Sequence, residues 1–270
     1  CLRPDLTIAS CVRYLNQNKK TSEKIFYSGQ AFRKGLNKKD SVIRNQIGFE
    51  ILGSFTEKKD DKNFSFFQCN VECENSINNL FKLILQKYNR IDYFFSNAGI
   101  LSIGDENSSN FDWERNWNLH LMSHVFVSRK LLPIFKKQNF GYFLITASAA
   151  GLLTHIDSIT YSVTKHSTVA FAEWIAINNK EADFDISVIC PQAVRTNMTK
   201  GREKDVASVD GMLEPDVLVE KIQEGIDKKQ FLILPHPEVQ NYIDKKSSNY
   251  DKWISGMARL KQKIEDNKRN

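Results

Sequence analysis

From Phe64 onward the chain alternates between two apolar spacings. Short apolar runs, FSFFQCNV (64–71), IDYFFSNAG (91–99), GYFLITAS (141–148), FDISVICPQ (184–192) and QFLILP (230–235), predict buried strands. The segments between them repeat apolar residues every three or four positions. SINNLFKLILQKY places Ile77, Leu80, Phe81, Ile84 and Leu85 on one helical face. FDWERNWNLHLMSHVFVSRKLLPIFKKQ predicts one long helix with a broad apolar face, and SITYSVTKHSTVAFAEWIAINNK predicts another. EPDVLVEKIQEGIDKK opens with Pro215 near its first turn, a position where proline suits a helix, and the tail from Pro237 reads as mostly helical. Apolar strands separated by amphipathic helices imply an α/β fold with a parallel sheet covered on both faces. Ligands of such sheets bind beyond the carboxyl ends of the strands. That rule lines up Asn97, Ser148 and Pro191 along one edge, because each directly follows a predicted strand.

The first 63 residues depart from this rhythm. NQNKKTSEK, NKKDSVIRNQ and TEKKDDKN are polar, and apolar periodicity is weak. EKIFYSG predicts a first strand and IGFEILGSF a second. Only about ten residues then precede the next strand, too few for a helical crossover between parallel strands. The chain is therefore divided into a divergent N-terminal part, 1–63, and a core with a helical tail, 64–270, within a single domain.

Composition narrows the classes. The 270 residues are 41% hydrophobic and 11% aromatic, which suits a globular core. The net charge of +6, from 38 basic against 32 acidic residues, is lysine scattered among asparagines. Without an arginine stripe or interleaved aromatics, it predicts a solvated surface and no nucleic-acid partner. No long apolar run or signal-like segment occurs, so no membrane partner is expected. Five irregularly spaced cysteines (Cys1, Cys11, Cys69, Cys73, Cys190) complete no zinc set and predict free thiols in a reducing, cytoplasmic setting. The chain begins with Cys1 instead of methionine, which leaves a fragment or a damaged start as the two readings.

Candidate chemistry enters with TYSVTK, which sets Tyr161 one helical turn before Lys165. YIDKK repeats the offset at Tyr242 and Lys246, in the polar tail after the last strand, where a surface pair is expected. Ser148 upstream, Asn97 on the same sheet edge and Pro191 downstream single out the first pair.

In these residues the chain resembles the classical short-chain dehydrogenase/reductase family, single-domain enzymes with a doubly wound Rossmann sheet that use NAD or NADP. SNAG (Ser96, Asn97, Ala98, Gly99) resembles the family's Asn-Asn-Ala-Gly, and TASAAG its serine-bearing strand end with Ser148 in the catalytic slot. YSVTK matches Tyr-x-x-x-Lys, and Ser148 precedes Tyr161 by the family's usual interval. PQAVRTNM, with Pro191, Val194 and Thr196, is similar to the segment that lies over the nicotinamide; Asn70 and Val71 resemble the Asp-Val pair that contacts adenine.

The resemblance implies interconversion of a secondary alcohol and a ketone by hydride transfer, with Tyr161 as acid/base. A phenol titrates near pH 10, and Lys165 is expected to favour its phenolate. Ser148 would hold the substrate oxygen, and Lys165 the ribose hydroxyls. The expected partners are a small-molecule substrate, one nicotinamide cofactor and no metal, in a homodimer or homotetramer built on the two helices starting near Asp112 and Thr160. Residues 152–159 and 197–213 are expected to shape the substrate pocket, the second segment as a lid.

Departures define a rival. The family's glycine-rich phosphate loop finds only SGQAFRKG (28–35), where Gly29 and Gly35 keep the spacing and Arg33 replaces the middle glycine. Arg33 either blocks the turn or pairs with a phosphate. Asn70 replaces an aspartate and Gln192 a glycine. His120 occupies the slot of the fourth catalytic residue, an asparagine, as a proton relay or as a satisfied helix histidine. His124, His155, His166 and His236 have no metal-ligand spacing and are read as structural. The rival is a family member that keeps the fold as a binding or scaffold protein.

Overall fold

The computed structural model describes residues 23–34, 41–52 and 64–269. Four parallel strands, β4 (Tyr93–Ser96), β5 (Tyr142–Thr146), β6 (Asp185–Ile189) and β7 (Leu232–Ile233), form the central sheet in that order. Tyr93 pairs with Tyr142, Tyr142 with Asp185 and Val188 with Leu232, so the strand ends lie level and present one carboxyl edge. Helices cross between the strands: α1 (Glu74–Tyr88), α2 (Asn110–Trp117) continuing into α3 (Ser123–Gln138), α4 (Ile159–Asn178) and α5 (Pro215–Asp227). Two C-terminal helices follow, α6 (Glu238–Ser248) and α7 (Tyr250–Arg269).

The sheet is apolar on both faces because helices cover both. On one face Phe94, Phe143, Ile145 and Val188 pack with Ile77, Phe81 and Ile84 of α1, Leu131 and Phe135 of α3 and Ala172 of α4. On the other, Tyr142, Leu144, Ile189 and Ile233 meet Ile222 and Ile226 of α5. Leu85, expected on the buried face of α1, packs against that core only partly buried. The expected long helix is interrupted by a π-helical turn, Asn118–Met122, which rotates His120 inward.

The N-terminal strands correct an expectation. β1 (Glu23–Lys34), β2 (Ser41–Leu52) and β3 (Phe64–Gln68) form an antiparallel three-stranded sheet, with β1 lying against β4. An antiparallel pair needs no helical crossover, so the short link between β2 and β3 suffices. Gly29 and Arg33 lie inside β1, opposite Gln46 and Val42. The strand-to-helix turn that a phosphate loop requires is therefore not formed through them; Gly35 lies outside the described residues, as do Cys1 and Cys11.

Candidate active site

Ser148, Tyr161 and Lys165 converge at the carboxyl edge of the sheet. Ser148 follows β5 and caps a short turn, Ala149–Gly151, its hydroxyl accepting from Ala150 N at 3.1 Å. Ser158 caps α4 by accepting from Tyr161 N and donates its own hydroxyl to Ser102 O, which fixes where α4 starts. One turn later Lys165 is buried and donates to Thr146 O at 2.9 Å, tying α4 to the end of β5. Its Nζ stands 5.7 Å from the centre of the Tyr161 ring. The Ser148 hydroxyl donates to Pro191 O at 3.4 Å and lies close enough to the Tyr161 phenol to favour its ionised form.

The electrostatics differ from the expectation for this pair. Burial lowers the Lys165 ammonium from 10.5 to about 8, so the side chain is largely protonated at neutral pH. Tyr161 is not pulled down by it. Burial raises the phenol above 10, outweighing the lowering effect of the Ser148 hydroxyl, and the nearby Cys190 thiol adds to the rise. Without further charge in the site, Tyr161 is a proton donor. Cys190, held against the same groups at the end of β6, is itself pushed up to about 12 by burial and stays a thiol.

His120 lies at the same place but is not poised to move a proton. Ile100 N–H donates to its Nε2 at 3.0 Å, which leaves Nδ1 protonated and donating to Thr164 Oγ1 at 2.8 Å. Burial, with Lys165 nearby, drives its pKa well below 6.5. With both nitrogens engaged, His120 serves as a wall: its ring meets the Tyr161 ring edge-on, 5.4 Å between centres. His124, buried behind it and lowered by burial to about 3, holds Ser96 Oγ at 2.6 Å.

Three features escaped the sequence. His155 faces Tyr161 from another side at 6.5 Å and pairs through Nε2 with Asp205 at 3.5 Å. Asp205 also meets Arg202 at 3.3 Å, so residues 202–205 are fastened over the site. A Cβ on Gly151 would lie 2.5 Å from Lys165 O, so only glycine lets that turn pack on α4. Thr154, a β-branched residue beside the site, has φ 89°, a strained left-handed backbone. None of these carries a local pattern: His155 and Asp205 are far apart in the chain, and the Gly151 constraint depends on another element.

The second Tyr/Lys pair is structural, but not the surface pair expected. Tyr242 donates to Asp210 Oδ1 at 2.8 Å, and Lys246 donates to Leu152 O at 2.6 Å. Together they fasten α6 to residues 152 and 210. A cavity of about 560 Å³ opens between these parts, lined by Ser148, Tyr161, Leu153, Met198, Val206 and Trp253 among others.

The groups at the chemical end fit a nicotinamide nucleotide. Lys165 uses Thr146 O as an acceptor and has further N–H donors for ribose hydroxyls. A Cβ on Gly99 would lie 3.6 Å from Lys165 Nζ, so the glycine leaves the ammonium approachable. Pro191 O receives Ala149 N at 2.8 Å and Val194 bridges to Leu213, which fixes the segment holding Thr196. Asn70 is exposed, its Oδ1 accepting from Glu72 N, whereas Val71 is buried in the core. The diphosphate end does not fit through Gly29, whose backbone is committed to a strand pair. Among the described residues no His, Cys, Asp and Glu group could hold a metal ion, and no helix is long and apolar enough to cross a membrane.

A parallel α/β sheet with a Ser/Tyr/Lys set at its carboxyl edge defines an enzyme of the nicotinamide-linked oxidoreductase kind. A family model described as short chain dehydrogenase matches residues 42–207, and the chain belongs to that family. It is 27% identical over 178 residues to the 3-oxoacyl-[acyl-carrier-protein] reductase of Buchnera aphidicola, covering 62% of this chain and 72% of that protein. It is 34% identical over 123 residues to the peroxisomal hydratase-dehydrogenase-epimerase of Neurospora crassa, covering 44% of this chain but 14% of that larger protein. Among solved structures, a short chain dehydrogenase/reductase from Burkholderia phymatum in complex with NAD superimposes with a TM-score of 0.60 at 22% identity, covering 68% of this chain and 75% of that one. The fold is thus the single-domain Rossmann type of this family.

Proposed function

We propose that the chain is an NAD(P)-dependent oxidoreductase that interconverts a ketone and a secondary alcohol, with Tyr161 exchanging the proton on the substrate oxygen. One observation carries the reading: the Tyr161 phenol and the Ser148 hydroxyl both line the cavity, with the Lys165 ammonium 5.7 Å from the centre of the Tyr161 ring. Bound nicotinamide supplies or accepts the hydride. Ser148 orients the substrate oxygen toward the phenol. Tyr161, neutral at pH 7, gives up its proton as the alkoxide forms, and Lys165 stabilises the phenolate left behind. His120 and His155 keep the phenol ring in place.

Asn97, Ala98, Gly99, Pro191, Val194 and Thr196 are the proposed nicotinamide and ribose contacts, and Asn70 and Val71 the adenine contacts. Exposed Val163, Trp174 and Ile177 share one face of α4, and exposed Phe111 and Trp117 lie on α2. These apolar faces support a homodimer or homotetramer. Free Cys69, Cys73 and Cys190 support a cytoplasmic setting.

The test is Tyr161→Phe, assayed by nicotinamide absorbance against a panel of ketones and alcohols. Turnover is expected to fall by at least about 100-fold, the usual worth of a positioned acid, with thermal unfolding unchanged. A variant that retains full activity removes the proposal. A second reading, a family member that binds ligands without turnover, draws on the strand conformation of Gly29 and Arg33. Titration with NADH and NADPH separates the two: failure of both to bind at millimolar concentration favours the second.

A further inference from the structure

The wall of the cavity away from the sheet comes from α6 and α7, and it is amphipathic in a specific way. Trp253, Met257 and Leu260 line the cavity from α7, and Leu153, Met198 and Val206 line it from the loops beside the reacting groups. Two cations sit on the same stripe of α7. Lys252 and Arg259 lie two turns apart, and both line the cavity. Neither has a carboxylate within ion-pair reach among the described residues, whereas Arg202, also at the cavity, is neutralised by Asp205 at 3.3 Å. Gly256 lies between the two cations, and a Cβ there would stand 4.0 Å from Arg259 Nη2.

Such a lining fits neither a small polar ketone nor a cation. A small ketone would leave most of a 560 Å³ space unfilled, and a cation would face the uncompensated charges of Lys252, Arg259 and, from α6, Lys245. We propose that the cavity takes an amphiphile: an unbranched apolar chain along Trp253, Met257 and Leu260, ending in a carboxylate or phosphate held by Lys252 and Arg259. This rests on the proposed oxidoreductase reading only in placing the substrate's reacting carbon at Ser148 and Tyr161. The chain and anion contacts stand on the α7 wall alone. Lys252 and Arg259 are exposed at the rim, so the headgroup stays hydrated on one side and the chain supplies most of the affinity.

The experiment measures binding without nicotinamide and without turnover. The full chain is titrated with octanoate, decanoate, decyl phosphate, 1-decanol and decyltrimethylammonium below their micelle concentrations, following tryptophan emission and calorimetric heat. One molecule of decanoate or decyl phosphate is expected per chain. Each methylene removed should weaken binding about four-fold, the equivalent of ~0.8 kcal/mol per buried CH₂. Decanol should bind at least about ten-fold more weakly than the anions, since a charge-assisted contact is lost. The double variant Lys252→Glu/Arg259→Glu should erase the advantage of the anions while leaving decanol affinity unchanged; decanol affinity also certifies that the variant's cavity is intact. The relative affinity of carboxylate and phosphate then identifies the headgroup. Decanol binding as tightly as decanoate, tighter binding of the cation, or no saturable binding of either anion overturns the proposal. Anion binding without reduction of any ketone leaves this site standing and removes the oxidoreductase reading; ketone reduction without anion binding does the reverse.

Discussion

Replacing Lys165 with methionine separates the cost of a buried charge from its use. Burial takes the Lys165 pKa from 10.5 to about 8, so the folded chain holds this proton less tightly than the unfolded chain does. The unfavourable burial is therefore present in full below pH 8 and is relieved as pH rises from about 8 toward 10.5. The buried charge therefore costs the fold about 3 kcal/mol at pH 7, most of it relieved by pH 10. Methionine fills the site without the charge but forfeits the hydrogen bond to Thr146 O, worth ~1–2 kcal/mol. Lys165→Met is thus expected to be about 2 kcal/mol more stable than the parent at pH 7 and level with it, or slightly less stable, at pH 10. Urea unfolding of both proteins at pH 7, 8, 9 and 10 measures this, and taking the difference cancels groups that titrate alike in both. The same variant should lose at least about 100-fold in turnover, because Tyr161 loses the charge that receives its phenolate. A stability difference that stays flat across this range refutes the assignment of Lys165 as a buried, charged lysine.

Gly151→Ala places a Cβ 2.5 Å from Lys165 O, backbone against backbone, so overpacking should cost about 1–3 kcal/mol and lower turnover with it; an unchanged melting temperature would contradict the packing. Tyr242→Phe removes the hydrogen bond that fastens α6 to Asp210, in a partly exposed place, so stability should change by under about 1 kcal/mol. KM should rise several-fold with kcat nearly unchanged, and steady-state kinetics with equal KM values would show that this tie does not shape the cavity.

Much of the fold is legible in the sequence because its cause is local. Apolar spacing placed β4 to β7 and α4 nearly where they stand, since burial on both faces of a parallel sheet writes a near-continuous apolar run into each strand. Ser148, Tyr161 and Lys165 were legible for a related reason: one turn of helix and one strand end fix their spacing. Pro215 marked the start of α5 because its missing N–H is harmless there.

What the tertiary structure alone decided depends on residues distant in sequence. β1 and β2 could be read as strands, but their antiparallel pairing, which takes Gly29 out of any phosphate turn, comes from partners across the sheet. A histidine at position 120 could be a relay or a wall until Ile100 N–H and Thr164 closed both ring nitrogens. The same spacing marks Tyr161/Lys165 and Tyr242/Lys246; sequence context set the first pair apart, but only the structure shows what the second does, Tyr242 tied to Asp210 and Lys246 to Leu152 O. The sequence set which groups would be present; burial, which no short stretch encodes, raised the Tyr161 phenol and lowered the Lys165 ammonium, making a proton donor of one and a weakly held charge of the other.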